Sequence, residues 1–227
     1  WQSQKSSDAI QDVFEKILSR IFKRPVSILG SSRTDSGVHA EGLVAHIRVD
    51  RIIKDPTLKK ALNFHLPKDI VVKSVRTVAD DFHARYHAKS KIYRYRIWND
   101  STRTIFEAPF VLWCSKRLDL GLMRRAARLL IGRNDFGAFK DDKDKTRTNV
   151  RTLKRIVIRR DGPRVTLGFE GDGFLTHMVR VIVGTLMEVG CRKILPERIG
   201  EILKSKNRTL AGPTAPACGL TLVKVKY

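Results

Sequence analysis

Residues 152–171 read TLKRIVIRRDGPRVTLGFEG. Two β-rich runs flank Asp161-Gly162-Pro163, and Val165, Leu167 and Phe169 alternate along the second. Such alternation around a Gly-Pro turn predicts a β-hairpin, with strands at 152–160 and 164–171. The neighbours of that hairpin decide the fold. Before it, from Asp119, the residues Leu122, Met123, Ala126, Ala127 and Leu130 recur at helical spacing, with Arg124, Arg125 and Arg128 on the polar face. Earlier still, residues 92–98 put Tyr93, Tyr95 and Ile97 on one strand face and Arg94 and Arg96 on the other. After the hairpin, FLTHMVRVIVGTLMEV at 174–189 is a helix apolar nearly all round, hence buried. A short helix at 196–204 and a strand at 220–225 follow. The order is strand, helix, strand, strand, helix, strand.

The first half repeats it. Ile10, Val13, Phe14, Ile17, Leu18, Ile21 and Phe22 make an amphipathic helix from Ser7, with Asp8 in its first turn and Lys23, Arg24 and Pro25 at its end. A short apolar run at 26–29 and an alternating strand at 43–49 come next. Asp55-Pro56 starts a helix that Pro67 stops, and residues 70–78 are β-rich. The two halves share one order if a strand stands immediately before Trp1. The expected fold is therefore α+β: two tandem ferredoxin-like (RRM-like) βαββαβ units, residues 1–82 and 83–227, with their antiparallel sheets joined into one surface and the first strand of the first unit missing.

Composition narrows the partners. Forty-five Lys and Arg against 23 Asp and Glu give a formal charge of +22 and a pI near 10.4. The excess is spread over both halves, so a polyanion such as RNA is the expected partner. Residues 140–164 alone hold ten Lys and Arg against four Asp, which suits contact with an RNA backbone. Cys114, Cys191 and Cys218 are odd in number and far apart, which argues against a disulfide framework or structural zinc and points to a reducing compartment, cytoplasmic or mitochondrial. No apolar run reaches the roughly 20 residues of a membrane span, so no membrane partner is expected.

Residues 31–40, SSRTDSGVHA, lie on a loop between two predicted strands and carry the candidate chemistry. As a polar turn, Asp35 would cap backbone N–H groups and Gly37 would supply a positive φ. As a reaction centre, the carboxylate of Asp35 beside the cation Arg33 would be a nucleophile or base. Asp35-Ser36-Gly37 also matches the signature of aspartic proteases, but those need two such aspartates sharing a proton, and a homodimer supplying the second would leave the charge unexplained. Residues 81–98, DFHARYHAKSKIYRYRIW, interleave Arg85, Lys89, Lys91, Arg94 and Arg96 with Phe82, Tyr86, Tyr93 and Tyr95, as suits phosphate contact on one face and base stacking on the other. Tyr95 also fits simple core packing. His83 and His87 stand four apart without an acidic or thiolate partner, so packing or phosphate contact outweighs metal binding. Arg180 lies in the apolar helix, where an unpaired cation costs several kcal/mol, so it should meet a carboxylate or phosphate, with Asp35 the obvious candidate.

These residues resemble the tRNA pseudouridine synthase A family nearly end to end. Trp1-Gln2, the loop Arg33-Thr34-Asp35-Ser36-Gly37-Val38-His39-Ala40, Asp81-Phe82-His83-Ala84-Arg85, Lys91-Ile92-Tyr93-Arg94-Tyr95, GRNDFGAF at 132–139, Arg147-Thr148 with Val150-Arg151-Thr152, FLTHMVRVIVG at 174–184 and AGPTAPACGLTL at 211–222 stand in family order. The resemblance implies isomerisation of uridine to pseudouridine in the tRNA anticodon stem-loop, around positions 38 to 40, by a homodimer without metal or organic cofactor. It implies Asp35 as the catalytic aspartate, Tyr93 stacking on the base, Arg180 pairing with the aspartate, Arg33 holding the target nucleotide out of the stem, and His39 and Arg85 in substrate binding. Ser32 departs from the pattern, which usually has Gly before Arg-Thr-Asp. The rival expectation is a non-catalytic RRM-like RNA-binding module.

Overall fold

The computed structural model describes residues 1–4, 9–141 and 146–227. Its elements, in chain order, are α1 (Ile10–Phe22), β1 (Ile28–Gly30), β2 (His39–Ala40), β3 (Ala45–Ile47), α2 (Asp55–His65), β4 (Ser90–Trp98), β5 (Leu112–Trp113), α3 (Leu120–Arg128), β6 (Gly132–Asp135), β7 (Val150–Asp161), β8 (Arg164–Gly171), α4 (Met178–Gly190), α5 (Arg198–Ser205) and β9 (Leu220–Lys226). The chain divides into two compact units. One comprises Trp1–Thr34 and Leu43–Ala88, the other Asp35–Gly42 and Lys89–Tyr227.

In the first unit, α1 presents Ile17 and Leu18 to a core completed by Val26, Ile28, Leu58 and Leu62. The predicted start of this helix at Ser7 and Asp8 lies outside the described residues. Lys23, in the left-handed region at φ 55°, ends it, and the Arg24 N–H donates to the Ser19 carbonyl. β1 and β3 pair antiparallel, Leu29 against His46. The strand expected at 70–78 is not formed. Side chains occupy its backbone instead: Asn63 accepts from the Val72 N–H at 2.7 Å and donates to the Val72 carbonyl at 3.0 Å, and the Thr77 N–H donates to Asp55 at 3.0 Å. A segment whose backbone groups are met by Asn and Asp side chains has less need of a ladder partner.

In the second unit a seven-stranded sheet runs β2-β9-β4-β8-β7-β6, with β5 beside β4. The hairpin is β7 and β8, paired antiparallel from Leu153 against Gly171 to Asp161 against Arg164. β8 pairs with β4 and β4 with β9, both antiparallel. The sheet is nevertheless mixed rather than purely antiparallel, because two two-residue strands, β2 on β9 and β5 on β4, dock parallel. Each belongs to a loop that runs alongside a longer strand, which parallel pairing over so short a length allows.

The core of this unit gathers Tyr95, Ile97, Met123, Leu130, Phe136, Phe139, Leu153, Leu167 and Phe169 with α4's Met178, Val181, Ile182 and Leu186. α4 starts four residues later than periodicity predicts, because His177 takes φ 61° and ψ 0° and so cannot extend the helix backward. Against α4 lies the segment 212–215. The Thr185 hydroxyl accepts from the Gly212 N–H at 2.9 Å, and a Cβ on Gly184 would stand 1.8 Å from the Pro213 carbonyl oxygen. Only a residue without a side chain allows that approach. Among the described residues no helix is long and apolar enough to cross a membrane.

Gly184→Ala is expected to destabilise the protein by roughly 3 kcal/mol in urea unfolding, since backbone rather than a flexible side chain blocks the new methyl. Gly168→Ala, where an added Cβ meets nothing within 4 Å, is the control and should stay within about 1 kcal/mol of wild type.

Candidate active site

Asp35 opens a tight turn at the start of the segment Asp35–Gly42. The Val38 N–H donates to the Asp35 carbonyl at 3.1 Å, and Gly37 takes φ 77°, a left-handed value that a side chain bears only at a cost. Past the turn the segment is fastened to β9. His39 and Ala40 pair with Thr221 and Leu222, the Glu41 N–H donates to the Leu222 carbonyl at 2.8 Å, and the Glu41 carboxylate pairs with Arg94 of β4. Gly42 lies so close that a Cβ there would sit 2.4 Å from the Val223 carbonyl oxygen. The loop is therefore held by backbone as well as by side chains.

The carboxylate meets the first turn of α4. Arg180 Nη1 donates to Asp35 Oδ2 at 2.9 Å, and Arg180 Nε donates to the Ala215 carbonyl at 2.7 Å. The Ala215 N–H in turn donates to the Arg180 carbonyl at 3.1 Å, so the guanidinium is aimed by the same segment that Gly184 admits. The Arg180 side chain keeps 15% of its surface and that of Asp35 keeps 28%, which leaves the carboxylate reachable and the cation mostly covered. His177 Nε2 stands 3.4 Å from the same Oδ2, and His177 Nδ1 stands 2.7 Å from Asp141 Oδ2. A guanidinium and an imidazole at the start of α4 thus stand against one carboxylate oxygen.

The other residues singled out in the sequence are distributed as follows. Tyr93 of β4 is buried, opposite Phe169 and Leu222, with its ring edge-on to Phe174 at 5.0 Å. Tyr95 is core: its hydroxyl donates to the Pro216 carbonyl at 2.8 Å, and burial pushes the phenol above its ordinary range. The His39 ring lies 4.8 Å from that of Phe110, with Nε2 3.0 Å from the Pro109 carbonyl oxygen. Arg33 and Arg85 belong to the first unit and are exposed, Arg85 lying over the Tyr86 ring at 5.9 Å. The turns around Arg85 hang on imidazoles. His83 Nδ1 accepts from the Arg85 and Tyr86 N–H groups at 3.1 and 3.2 Å, and His46 Nδ1 from the Ala84 N–H at 3.3 Å. Burial, with His83 and Arg48 beside it, holds His46 below the usual imidazole range. His83 and His87 lie on turns rather than a helix, and the His83 N–H donates to His87 Nδ1 at 3.5 Å, so these rings organise backbone. Among the described residues no group of three or more His, Cys, Asp or Glu could hold a metal ion.

Two members of the constellation were not singled out from the sequence, His177 and Asp141. His177 lies inside a run read as continuous helix, and Asp141 inside a segment read as a basic RNA contact; Lys143, Lys145, Asp142 and Asp144 of that segment lie outside the described residues. Ser32 is buried, and its hydroxyl has no hydrogen-bond partner among the described residues. Its φ is not positive, so the backbone there does not call for glycine.

A family model described as tRNA pseudouridine synthase matches residues 1–87 and 126–227. The whole chain aligns at 43% identity with tRNA pseudouridine synthase A of Geobacillus kaustophilus, covering 88% of that protein, and at 43% with the protein of the same name from Acetivibrio thermocellus, covering 93%. It aligns at 41% with tRNA pseudouridine synthase A of Escherichia coli K12, again over the whole chain and over 84% of the relative.

The buried Ser32 hydroxyl, unpartnered among the described residues, sets a test of its own. Ser32→Ala should raise stability by about 1 kcal/mol in urea or thermal unfolding, because it removes a desolvated group without a partner. A loss of stability would mean that the hydroxyl is bonded in solution.

Proposed function

The chain belongs to the tRNA pseudouridine synthase family, and on that premise we propose that it converts uridine to pseudouridine in the tRNA anticodon stem-loop, around positions 38 to 40, with Asp35 as nucleophile. The ion pair of Asp35 with Arg180 carries this reading. A carboxylate held by a covered guanidinium at a helix N-terminus, yet reachable, suits attack on a sugar carbon. The reaction rearranges atoms without net oxidation. Asp35 bonds to C1′ as the N1–C1′ glycosidic bond breaks, uracil turns, and C5 then bonds to C1′ as the Asp35–C1′ bond breaks, the C5 proton leaving and N1 gaining one. Substrate and product are isomers, so no redox or group-donating cofactor is required.

The remaining roles follow the resemblance. Tyr93 stacks on the base, Arg33 holds the extruded nucleotide, and His39 and Arg85 contact the substrate. The charge of +22 supports a tRNA partner. The protein acts as a homodimer, with one tRNA touching both subunits. We read residues 1–82 and 83–227 as tandem ferredoxin-like modules. For the second, support comes from its strand, helix, strand, strand, helix, strand order (β4, α3, β7, β8, α4, β9) and its antiparallel run β9-β4-β8-β7.

Carbodiimide mapping of tRNAs treated with the purified protein tests activity, substrate and position together. Asp35→Ala is expected to bind tRNA and form no pseudouridine; a variant that still forms it would end the nucleophile assignment, and a wild type that binds but never modifies would favour the RRM-like alternative. Arg180→Met should lower kcat on the order of 100-fold, whereas Lys89→Ala, an exposed cation, should change it less than threefold. Equal losses would count against the role given to the ion pair.

A further inference from the structure

His177 is placed with unusual care for a residue outside the reading above. Its backbone sits at φ 61° and ψ 0°, a region that costs a non-glycine residue roughly 1–2 kcal/mol and is held only where the surroundings dictate it. The ring is caught at both nitrogens: Nδ1 is 2.7 Å from Asp141 Oδ2 and Nε2 is 3.4 Å from Asp35 Oδ2. Asp141 is itself fixed to the strained turn, since its N–H donates to the Thr176 carbonyl at 3.0 Å. A second carboxylate, a bent backbone and the nucleophile's own oxygen therefore converge on one imidazole. A helix that needed only an N-cap would be served by Ser, Thr, Asp or Asn, and the His177 side chain makes no cap hydrogen bond.

We propose that His177, oriented by Asp141, is a positioning residue that selects which oxygen of Asp35 attacks. The inference rests on Asp35 being the nucleophile. Arg180 Nη1 and His177 Nε2 both address Oδ2, and among the described residues Oδ1 receives no hydrogen bond. The ring lies between Asp141 and Oδ2, with Nδ1 2.7 Å from the one and Nε2 3.4 Å from the other. Oδ2 is then flanked by the guanidinium that donates to it and by the ring, rotation about the Cβ–Cγ bond is restricted, and Oδ1 is presented to C1′. Asp141 acts through His177 as an outer carboxylate acts through a ligating histidine, fixing the ring's rotation rather than touching substrate. Asp141 joins the family's motif residues here as a side chain that the resemblance did not identify.

His177→Gly is the informative variant, because it deletes the ring while supplying the one residue that tolerates the backbone angle without strain. Its Tm should equal or exceed that of wild type, while kcat for pseudouridine formation falls roughly 10- to 100-fold and KM for tRNA stays within about twofold. Asp141→Asn should lower kcat with the same KM signature, and the double variant should lose little beyond His177→Gly alone, since Asp141 acts on Asp35 through the ring. Full kcat in His177→Gly, losses that multiply in the double variant, or a rise in KM at constant kcat would each overturn the assignment. Asp35→Asn measured beside them keeps the two readings apart: if it is inactive while His177→Gly is fully active, only the positioning role fails, and if it is active the nucleophile itself is wrong.

Discussion

The contact between Arg180 and Asp35 joins residues 145 positions apart in the chain, and the second unit is arranged around it. Neither charge is comfortable alone. A guanidinium on the first turn of an apolar helix is largely stripped of water, and removing its partner would leave that charge uncompensated. The fold answers with a complete set of partners. The segment 212–215 lies against α4 at Gly184 closely enough for Ala215 to take the guanidinium's Nε, and β9 pins the loop that supplies the carboxylate. The apolar burial of α4 and the charge pair at its tip are thus two results of one packing decision.

Because one face of the carboxylate is occupied, the rest stays open. An ion pair with both partners fully enclosed would be inert toward a large polyanion, and one fully exposed would be screened by salt. Partial cover sits between these limits. The surrounding surface contributes differently: several cations are already matched with acids, Arg125 with Glu197, Arg164 with Glu107 and Lys226 with Glu170, yet the chain keeps a large positive excess. Long-range attraction and local chemistry are therefore served by separate sets of residues.

Much of this was legible in the sequence, and for identifiable reasons. The hairpin's alternation, the 3.6-residue period of α1 and α3, and the all-round apolarity of α4 are strong signals because burial enforces them over many residues. Arg180 betrayed its partner because a cation in an apolar helix needs one. The strand expected at 70–78 failed because Asn63 and Asp55 supplied its backbone with local partners, which β-propensity does not register. β2 and β5 are two-residue pairings fixed by tertiary contact, with no period to detect. His177 escaped notice because a bend is decided by what flanks it in space: the run 174–189 looks like one helix until Asp141 and Asp35 take hold of the ring.

The second unit is discontinuous in the chain: Asp35–Gly42 belongs to it, Leu43–Ala88 does not, and the unit resumes at Lys89. The strand that receives the loop, β9, comes after α5 in chain order. During synthesis from the N-terminus, Asp35 is made well before its dock, so the carboxylate waits unplaced until β9 has emerged. Such long-range closure is the slow part of folding. A chain that stops before Leu220 carries Asp35 but lacks the strand on which its loop is seated, so the placing of this carboxylate depends on a segment remote from it in sequence.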